Sequence, residues 1–563
     1  MSESANHHGI KSRQCGATMI EVWHSRPLDV HRWSDHPEIN GLVGKVFDSL
    51  TDEQKKNIRG RSNNKGRASG KAHLKVLLLD LYVGWKTNPD MCIGVARGKD
   101  AYKVNSRYNA LHISSRLPKV IDALEEVGLL ECEKGINFRD GKPGKNRTSR
   151  IKATPQLERM FEDIYFEPFE IDLHHNEECI ILSEKDVSTD GTKRTQYLEY
   201  DDTAETVRMR ELLRQYNDLL EETYIDIPTL SEPWVVREKK NGDIQFVPVD
   251  QTGKFVRRIF SRGSFDLNGR FYGGWWQNIE KDRRREITIN NVRTVEVDYR
   301  GVHLAILTAQ KGEGLTEDDP YRLDEIIIPG FSEEEQRPIT KQLALTSINA
   351  KDDKSAFKAF RAAQPAGSRE KSLKDRQLSL FLDALVEKNP YLKGSLCNDQ
   401  GIHLMNIDSR ITEKIISAFL KEKKPILTVH DSYIVCEFDV PFLIQTMIKA
   451  SKEVLGQDIF FTQSGKTVYE LIKDLSPEQI KYDPNLEHPI LNGTGLKEKD
   501  APLRYIDYKK MGAGDLVNLS STIYQPTETT PQYRDRLIRF INYRMKRFNQ
   551  TNWLKNINHH KNK

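Results

Sequence analysis

The sequence is poor in cysteine and has no C-x-x-C pair. Its six cysteines, at positions 15, 92, 132, 179, 397 and 436, are scattered over 563 residues. That spacing excludes a zinc ribbon, a redox dithiol and a disulfide scaffold, so the thiols are expected to be reduced and structural. Long hydrophobic runs are also missing. The longest, Leu74 to Trp85, is interrupted by Lys75 and Asp80 and is too short to cross a bilayer, so no membrane partner is expected. The first residues, MSESANHHGIKSRQ, have no apolar core behind their polar start, which reads as no secretory signal and a cytoplasmic location. No internal repeat is visible. The histidine pairs at 7–8, 174–175 and 559–560 lack the spacing of a metal site on a helix and read as surface loops.

What is present is enough for ordinary soluble cores: 37% hydrophobic and 30% charged residues exclude a mostly disordered chain. At roughly 150 residues per domain the length predicts three or four domains. The net charge of +4 hides local asymmetry. The 33 residues from Pro531 carry nine Lys/Arg and one Asp, and residues 254–285 carry nine Lys/Arg against three acids. Cations interleaved with Tyr, Phe and Trp suit a polyanion, because they neutralise phosphates while the rings stack on bases. For the C-terminal run, a solvated basic helix is an equal reading.

Five segments follow from composition and periodicity: a polar arm (1–70), a compact module (71–160), a connecting helical region (161–265), a core (266–475) and a basic C-terminal extension (476–563). Within the module, Leu74 to Trp85 reads as a buried helix. Leu117, Val120, Ile121, Leu124 and Val127 form one apolar helical stripe, stopped by Gly128. A short strand at 129–132, the basic loop RDGKPGKNRTSR (139–150) and a strand from Ile151 follow. Helix, strand, basic loop and strand resemble the outline of a winged helix. In that outline the helix enters the major groove, and Arg139, Lys142, Lys145 and Arg147 on the wing meet phosphate. A wing used for protein contacts, or a plain α+β module, fits the same pattern. Thr203 to Tyr224 reads as an amphipathic helix with Leu212, Leu213, Tyr216, Leu219 and Leu220 on one side.

The chemistry lies downstream. TVEVD (294–298) alternates like a strand and ends on Asp298, with a helix starting near Val302. PILTVHDSYIV (425–435) reads as a hairpin with His430, Asp431 and Ser432 at its tip. Two carboxylates at the tips of neighbouring strands can share two divalent metals, one at the attacking hydroxyl and one at the leaving phosphate. A lone Asp at a strand end is more often a simple cap.

The full set is more specific. DYRGVHLAIL from Asp298 resembles motif A of the family A DNA polymerases. VHDSYIV resembles motif C, V-H-D-E in those enzymes and H-D-S in the single-subunit phage-type RNA polymerases. RPITKQLALTSINA, from Arg337 to Ala350, resembles motif B, R-x-x-x-K. DLNGRFY (266–272) resembles the D-x-x-G-R-x-Y element of the RNA polymerases, and with Gln277, Asn278 and Ile279 also the T-G-R…Q-N-I-P segment of the DNA polymerases. The four occur in family order, at shorter spacings than usual, over about a third of the chain.

The resemblance implies an α+β, right-hand fold of palm, fingers and thumb, with palm and fingers over 266–475, thumb-like helices in 161–265 and the winged-helix-like module at its N-terminal side. Carried over residue by residue, Asp298 and Asp431 would bind two Mg²⁺ (or Mn²⁺) ions, and the backbone carbonyl of Tyr299 would complete a metal shell. Lys341 would meet the incoming triphosphate and protonate the leaving pyrophosphate, and Arg337 would bind the same phosphates. His430 would sit beside the primer end. Arg270 would contact the template or primer backbone, with Gln277 and Asn278 near it. Lys341, Leu345, Ile348 and Asn349 would continue one helix face toward the nucleotide. The implied partners are a DNA template with its primer or nascent strand, and nucleoside triphosphates.

Three features depart from the pattern. Pro338 follows Arg337; as a first helical residue it would leave Arg337 outside the helix. Asn349 and Ala350 replace Tyr-Gly, and Ser432 replaces Glu. His303, five residues after Asp298, is bulky, which crowds a ribose 2′-hydroxyl and argues for deoxynucleotides. The Asp266–Tyr272 element, the Leu345-Thr346 pair and His-Asp-Ser are closer to the RNA polymerases. The balance leans to DNA synthesis, with a DNA-directed RNA polymerase as the alternative. Residues 1–250 show no D-x-E strand with later paired acids, so 3′–5′ editing is not expected. A DNA-binding module joined to such a core points to a replication or transcription protein of a phage, plasmid or integrated element. The rival from another class is a non-catalytic replication initiator or regulator on a degenerate polymerase fold.

Overall fold

The computed structural model describes residues 25–59, 68–98, 101–135, 148–173, 176–187, 193–230, 232–238, 244–314, 319–323, 325–459 and 461–464. The first 24 residues, the loop carrying Arg139, Lys142, Lys145 and Arg147, the three histidine pairs and the basic extension 476–563 lie outside them. The chain mixes helices and sheets. It divides into two units, 1–175 with 236–246, and 176–235 with 247–563. Among the described residues no helix is long and apolar enough to cross a membrane.

The smaller unit is built on the helix Gly70–Thr87, whose Ser69 hydroxyl accepts from the Ala72 amide and so starts it. Leu74 to Val83 is buried all round, which explains an apolar run broken only by Lys75 and Asp80. Its Asp80, fully buried, is held by Arg26 and Arg32 at 2.8 Å each. Four strands follow the order Ser25–Pro27, Cys92–Val95, Ser149–Ala153, Leu130–Glu133. The helix Leu117–Glu126 buries Leu117, Val120, Ile121 and Leu124, and Gly128 leaves it at φ 73° with its amide on the Glu125 carbonyl. Its outward face is acidic. Glu125 and Glu126 are exposed with Lys119, and the half-buried Asp122 is engaged by Arg97.

The larger unit is centred on the strand Val292–Tyr299, the middle of a six-stranded antiparallel sheet. On one side it pairs with Ser432–Cys436, which turns back to Leu427–Val429. On the other it pairs with Thr288–Ile289 and Phe461–Ser464. The helices Val302–Gln310, Gly401–Lys421 and Val440–Leu455 pack together beside it. A second sheet runs Ser264–Tyr272, Arg257–Ser261, Ile180–Val187, Lys193–Tyr197, and Gly401–Lys421 packs on its first strand. The region expected to be thumb-like carries one long helix, Ala204–Glu222, started by a Thr203–Thr206 capping box. Its Met209, Leu213, Tyr216 and Leu220 sink into the same core as the central sheet, while Leu212 and Leu219 are half-buried at the edge. Much of the rest of that region is strand, including Ile180–Val187 and Arg257–Ser261, where Ile180, Ile181, Val187, Ile259 and Phe260 are β-branched or aromatic.

Helices Glu333–Asn349, Asp353–Ala363 and Asp375–Lys388 form a body with its own core of Ile339, Leu343, Phe357, Phe360, Leu378 and Phe381. The first starts at a Ser332–Glu335 capping box, so Pro338 lies inside it and Arg337 is helical. The helix forgoes only the bond a residue-338 amide would make to the Glu334 carbonyl.

Candidate active site

The central sheet delivers two carboxylates to one end. Asp298 pairs in register with Ser432, and the Tyr299 amide donates to the Asp431 carbonyl at 3.2 Å. Gly301, at φ 63°, lets the chain turn from this strand directly into the helix Val302–Gln310. Across from it, Val429 faces Ser432, leaving His430 and Asp431 as a two-residue hairpin tip. His430 takes φ 59°, the left-handed value such tips need and an uncommon one for histidine. The tip is held rigidly. Tyr216 Oη donates to the Ile426 carbonyl at 2.7 Å, while Trp276 Nε1 (3.1 Å) and Gln277 Nε2 (2.8 Å) donate to the Thr428 carbonyl.

Negative charge is concentrated here. Burial, reinforced by Asp431, pushes the Asp298 carboxyl up to about 6, with Lys281 opposing from 3.8 Å. Two residues back on the same strand face, Glu296 is buried against Arg284 at 2.8 Å and accepts from Ser432 Oγ at 2.8 Å. Ser432 therefore serves the sheet interior. From the second sheet comes Arg270, placed by a bulge at Asn268 and Gly269 (φ 63° and 85°). A Cβ on Gly269 would meet the Phe260 ring at 2.7 Å and Ser409 Oγ at 3.0 Å, so only glycine permits this approach of the helix Gly401–Lys421. Arg270 Nε donates to Asp408 Oδ2 at 2.6 Å, and its Nη2 lies 3.3 Å from His303 Nε2. Asp408 is pushed up to about 6 by burial and by Asp431, against the pull of Arg270. Burial and Arg270 hold His303 down at about 4. His430 packs edge-on to Tyr272, ring centres 5.5 Å apart, and burial lowers its proton affinity too.

Asp298, Asp431, His303, His430 and Arg270 are thus brought together. Other expected residues are placed differently. The Tyr299 side chain is buried, its hydroxyl on the Met447 carbonyl at 2.6 Å, so only its backbone can face the site. Gln277 is consumed by backbone: besides Thr428, it donates to the Phe271 carbonyl (3.0 Å) and accepts from the Gly273 amide (3.1 Å). Asn278 is exposed beside it. Arg337 is paired with Asp319. Lys341 is exposed, 6.0 Å from the ring centre of Tyr321, whose hydroxyl lies 3.8 Å from where a Cβ on Gly301 would be. Leu345 and Asn349 continue this exposed face, with Asn349 Nδ2 on the Leu345 carbonyl at 2.7 Å, whereas Ile348 points into the core.

The basic stretch 254–285 is also reinterpreted. Lys254 caps the end of Ala204–Glu222 through the Glu221 and Thr223 carbonyls. Arg257 meets Glu177, Arg258 meets Glu413, Arg262 meets Asp399, Arg270 meets Asp408 and Lys281 meets Asp298. Arg283, Arg284 and Arg285 meet Glu286, Glu296 and Asp282. All nine cations have partners; Lys254, Arg257, Arg258, Arg270 and Arg284 serve as internal scaffolding, whereas Arg262, Lys281, Arg283 and Arg285 stay about half exposed. Lys281, Arg284, Glu296 and Asp408 were not singled out from sequence. Asp408 carried a signal: it follows Leu404 by four and precedes Ile411 by three, a charge on an apolar helical stripe.

The donors fit a hard divalent cation. Asp298 and Asp431 could supply oxygens, and a cation would offset the burial and the Asp431 charge that raise Asp298. Among the described residues no group of three or more His, Cys, Asp or Glu could hold a metal. Mg²⁺ commonly takes one or two carboxylates and completes its shell with substrate phosphates.

No protein-family model and no curated protein matches the chain. Among solved structures, the POL domain of Pol1 from M. smegmatis in complex with DNA primer-template and dNTP aligns over 46% of this chain and 52% of that one, about half its length. The identity is 14% and the TM-score 0.24, an overlap that fixes neither fold nor function.

Proposed function

We propose that the chain is a template-directed nucleotidyltransferase that copies a DNA strand, with deoxynucleotides as its substrates. One observation carries this reading: two paired strand ends present Asp298 and Asp431 together, at a site where Asp298 is pushed up to about 6. Two Mg²⁺ or Mn²⁺ ions would supply activation of the attacking hydroxyl and charge neutralisation at the phosphates. The chain's own groups do the rest. Asp298, Asp431 and the Tyr299 carbonyl would hold the cations. Lys341 binds the triphosphate and hands a proton to the departing pyrophosphate. Arg337 joins it on the phosphates by exchanging Asp319 for them. His430 and Arg270 border the primer end, and His303 crowds the sugar. In-line displacement at phosphorus builds charge on oxygens, so fixed cations and carboxylate-held metals suffice without a covalent intermediate.

The test is extension of a primed DNA template with Mg²⁺, deoxynucleotides and ribonucleotides being supplied in separate reactions, with Asp431→Ala as control. Template-copied extension by the wild type alone is expected, with deoxynucleotides preferred. No incorporation from either pool, on DNA or RNA templates, with DNA binding unchanged in Asp431→Ala, would overturn the reading in favour of a non-catalytic DNA-binding initiator.

A further inference from the structure

We propose that Asp408, acting through Arg270, positions His303 and thereby sets how strongly the nucleotide site rejects a 2′-hydroxyl. This rests on the polymerase reading above and extends it to a residue outside every motif.

Asp408 is 0% exposed on the helix Gly401–Lys421. A carboxylate there is unfavourable unless paired. Its partner is Arg270, 12% exposed, whose Nε donates to Oδ2 at 2.6 Å, while Oδ1 is buried without a hydrogen-bond partner. The same guanidinium reaches His303 on a third element, Nη2 to Nε2 at 3.3 Å. A guanidinium only donates, so Nε2 must accept and the imidazole proton sits on Nδ1. Burial and the neighbouring Arg270 hold His303 neutral at physiological pH. His303 is therefore an uncharged ring fixed from one side by an arginine that is itself fixed by Asp408. A side chain that crowds a sugar discriminates only as well as it resists rotating away. Removing the Asp408 charge leaves Arg270 free to turn toward Asp431, the other carboxylate acting on it. His303 then loses its stop.

Asp408→Asn keeps the shape and removes the charge. The quantity to measure is kcat/KM for a deoxynucleotide divided by kcat/KM for the matching ribonucleotide. A fall of about tenfold is expected, within the range of coupling between contacting residues. The fall should come mainly from faster ribonucleotide use. His303→Ala should lower the ratio similarly, and Asp408→Asn added to His303→Ala should change it no further. If Asp408→Asn does not fold by circular dichroism, Arg270→Lys replaces it. That variant keeps the cation but cannot span both partners, and the same fall is expected. An unchanged ratio with a general loss of rate, or additive effects in the double variant, would reduce Asp408 to a structural residue and overturn the inference. A wild type that incorporates but prefers ribonucleotides would overturn it while leaving the polymerase reading intact. A wild type that incorporates neither would remove both.

Discussion

Replacing Asp298 with asparagine should stabilise the metal-free protein and abolish incorporation. In the folded chain the carboxyl is raised from 3.8 to about 6, because burial and Asp431 both oppose its charge. Two units at ~1.4 kcal/mol each amount to ~3 kcal/mol. The side chain is 32% exposed and Lys281 is already counted among its neighbours, so solvent screening brings the figure to ~1–2 kcal/mol. The sign follows from linkage. The folded state holds this proton more tightly than the unfolded chain does. The wild type therefore loses stability as pH rises from about 4 to about 6, and the whole penalty persists above that. Asparagine carries no such step. Urea unfolding in EDTA, followed by circular dichroism from pH 4 to 8, should give coincident midpoints near pH 4 and a more stable variant at pH 7. Saturating Mg²⁺ should then stabilise the wild type more than the variant, since only the wild type keeps both carboxylates. A variant that is less stable than the wild type at pH 7, or a difference of the same size at pH 4 and pH 7, would refute the argument.

Lys341→Ala should lower kcat/KM for the nucleotide by roughly 10²–10³-fold, as removal of a transition-state charge partner does. Its unfolding free energy should stay within ~0.5 kcal/mol of wild type, because the side chain is exposed. Unaltered steady-state kinetics would remove Lys341 from the nucleotide site. Gln277→Ala should destabilise by ~2 kcal/mol, since it removes a side-chain partner from the Phe271 carbonyl and the Gly273 amide, while the Thr428 carbonyl keeps Trp276 Nε1. The folded variant should bind DNA within twofold of wild type in a gel-shift titration at fixed salt. A large loss of affinity at unchanged stability would return Gln277 to the nucleic-acid interface.

Local pattern carried much of the architecture. The strand ending at Asp298, the hairpin tip at His430-Asp431, the helix stopped by Gly128 and the stripe of Leu213, Tyr216 and Leu220 all follow from periodicity and capping within a dozen residues. Pro338 misled, because proline at a helix start is common while the capping box that begins six residues earlier, Ser332 with Glu335, moved the true start upstream. What local pattern could not carry was charge pairing. Counted along the chain, 254–285 is strongly basic. In the fold, Arg257, Arg262, Arg270 and Arg258 find acids 80, 137, 138 and 155 residues away.

That failure has a physical cause that also marks where the chemistry sits. A buried arginine is tolerated only when a carboxylate is buried with it, so an interior pair can place one member in a basic stretch and hide the other in a distant apolar element. Asp408 and Glu413 are such hidden members. Both lie on Gly401–Lys421, and both draw arginines of the second sheet, Arg270 and Arg258, onto that helix. Arg258 ends there, its Nε on the Gly269 carbonyl at 2.8 Å and its Nη2 on Ser409 Oγ at 3.0 Å, fully committed to holding helix to sheet. Arg270 does not: its Nη2 is left over for His303, and the field of Asp431 reaches it. Of two similar ion pairs on one helix, the pair with a donor to spare is the one bordering the carboxylates, which is why Asp408 and not Glu413 is the residue whose charge should alter nucleotide choice.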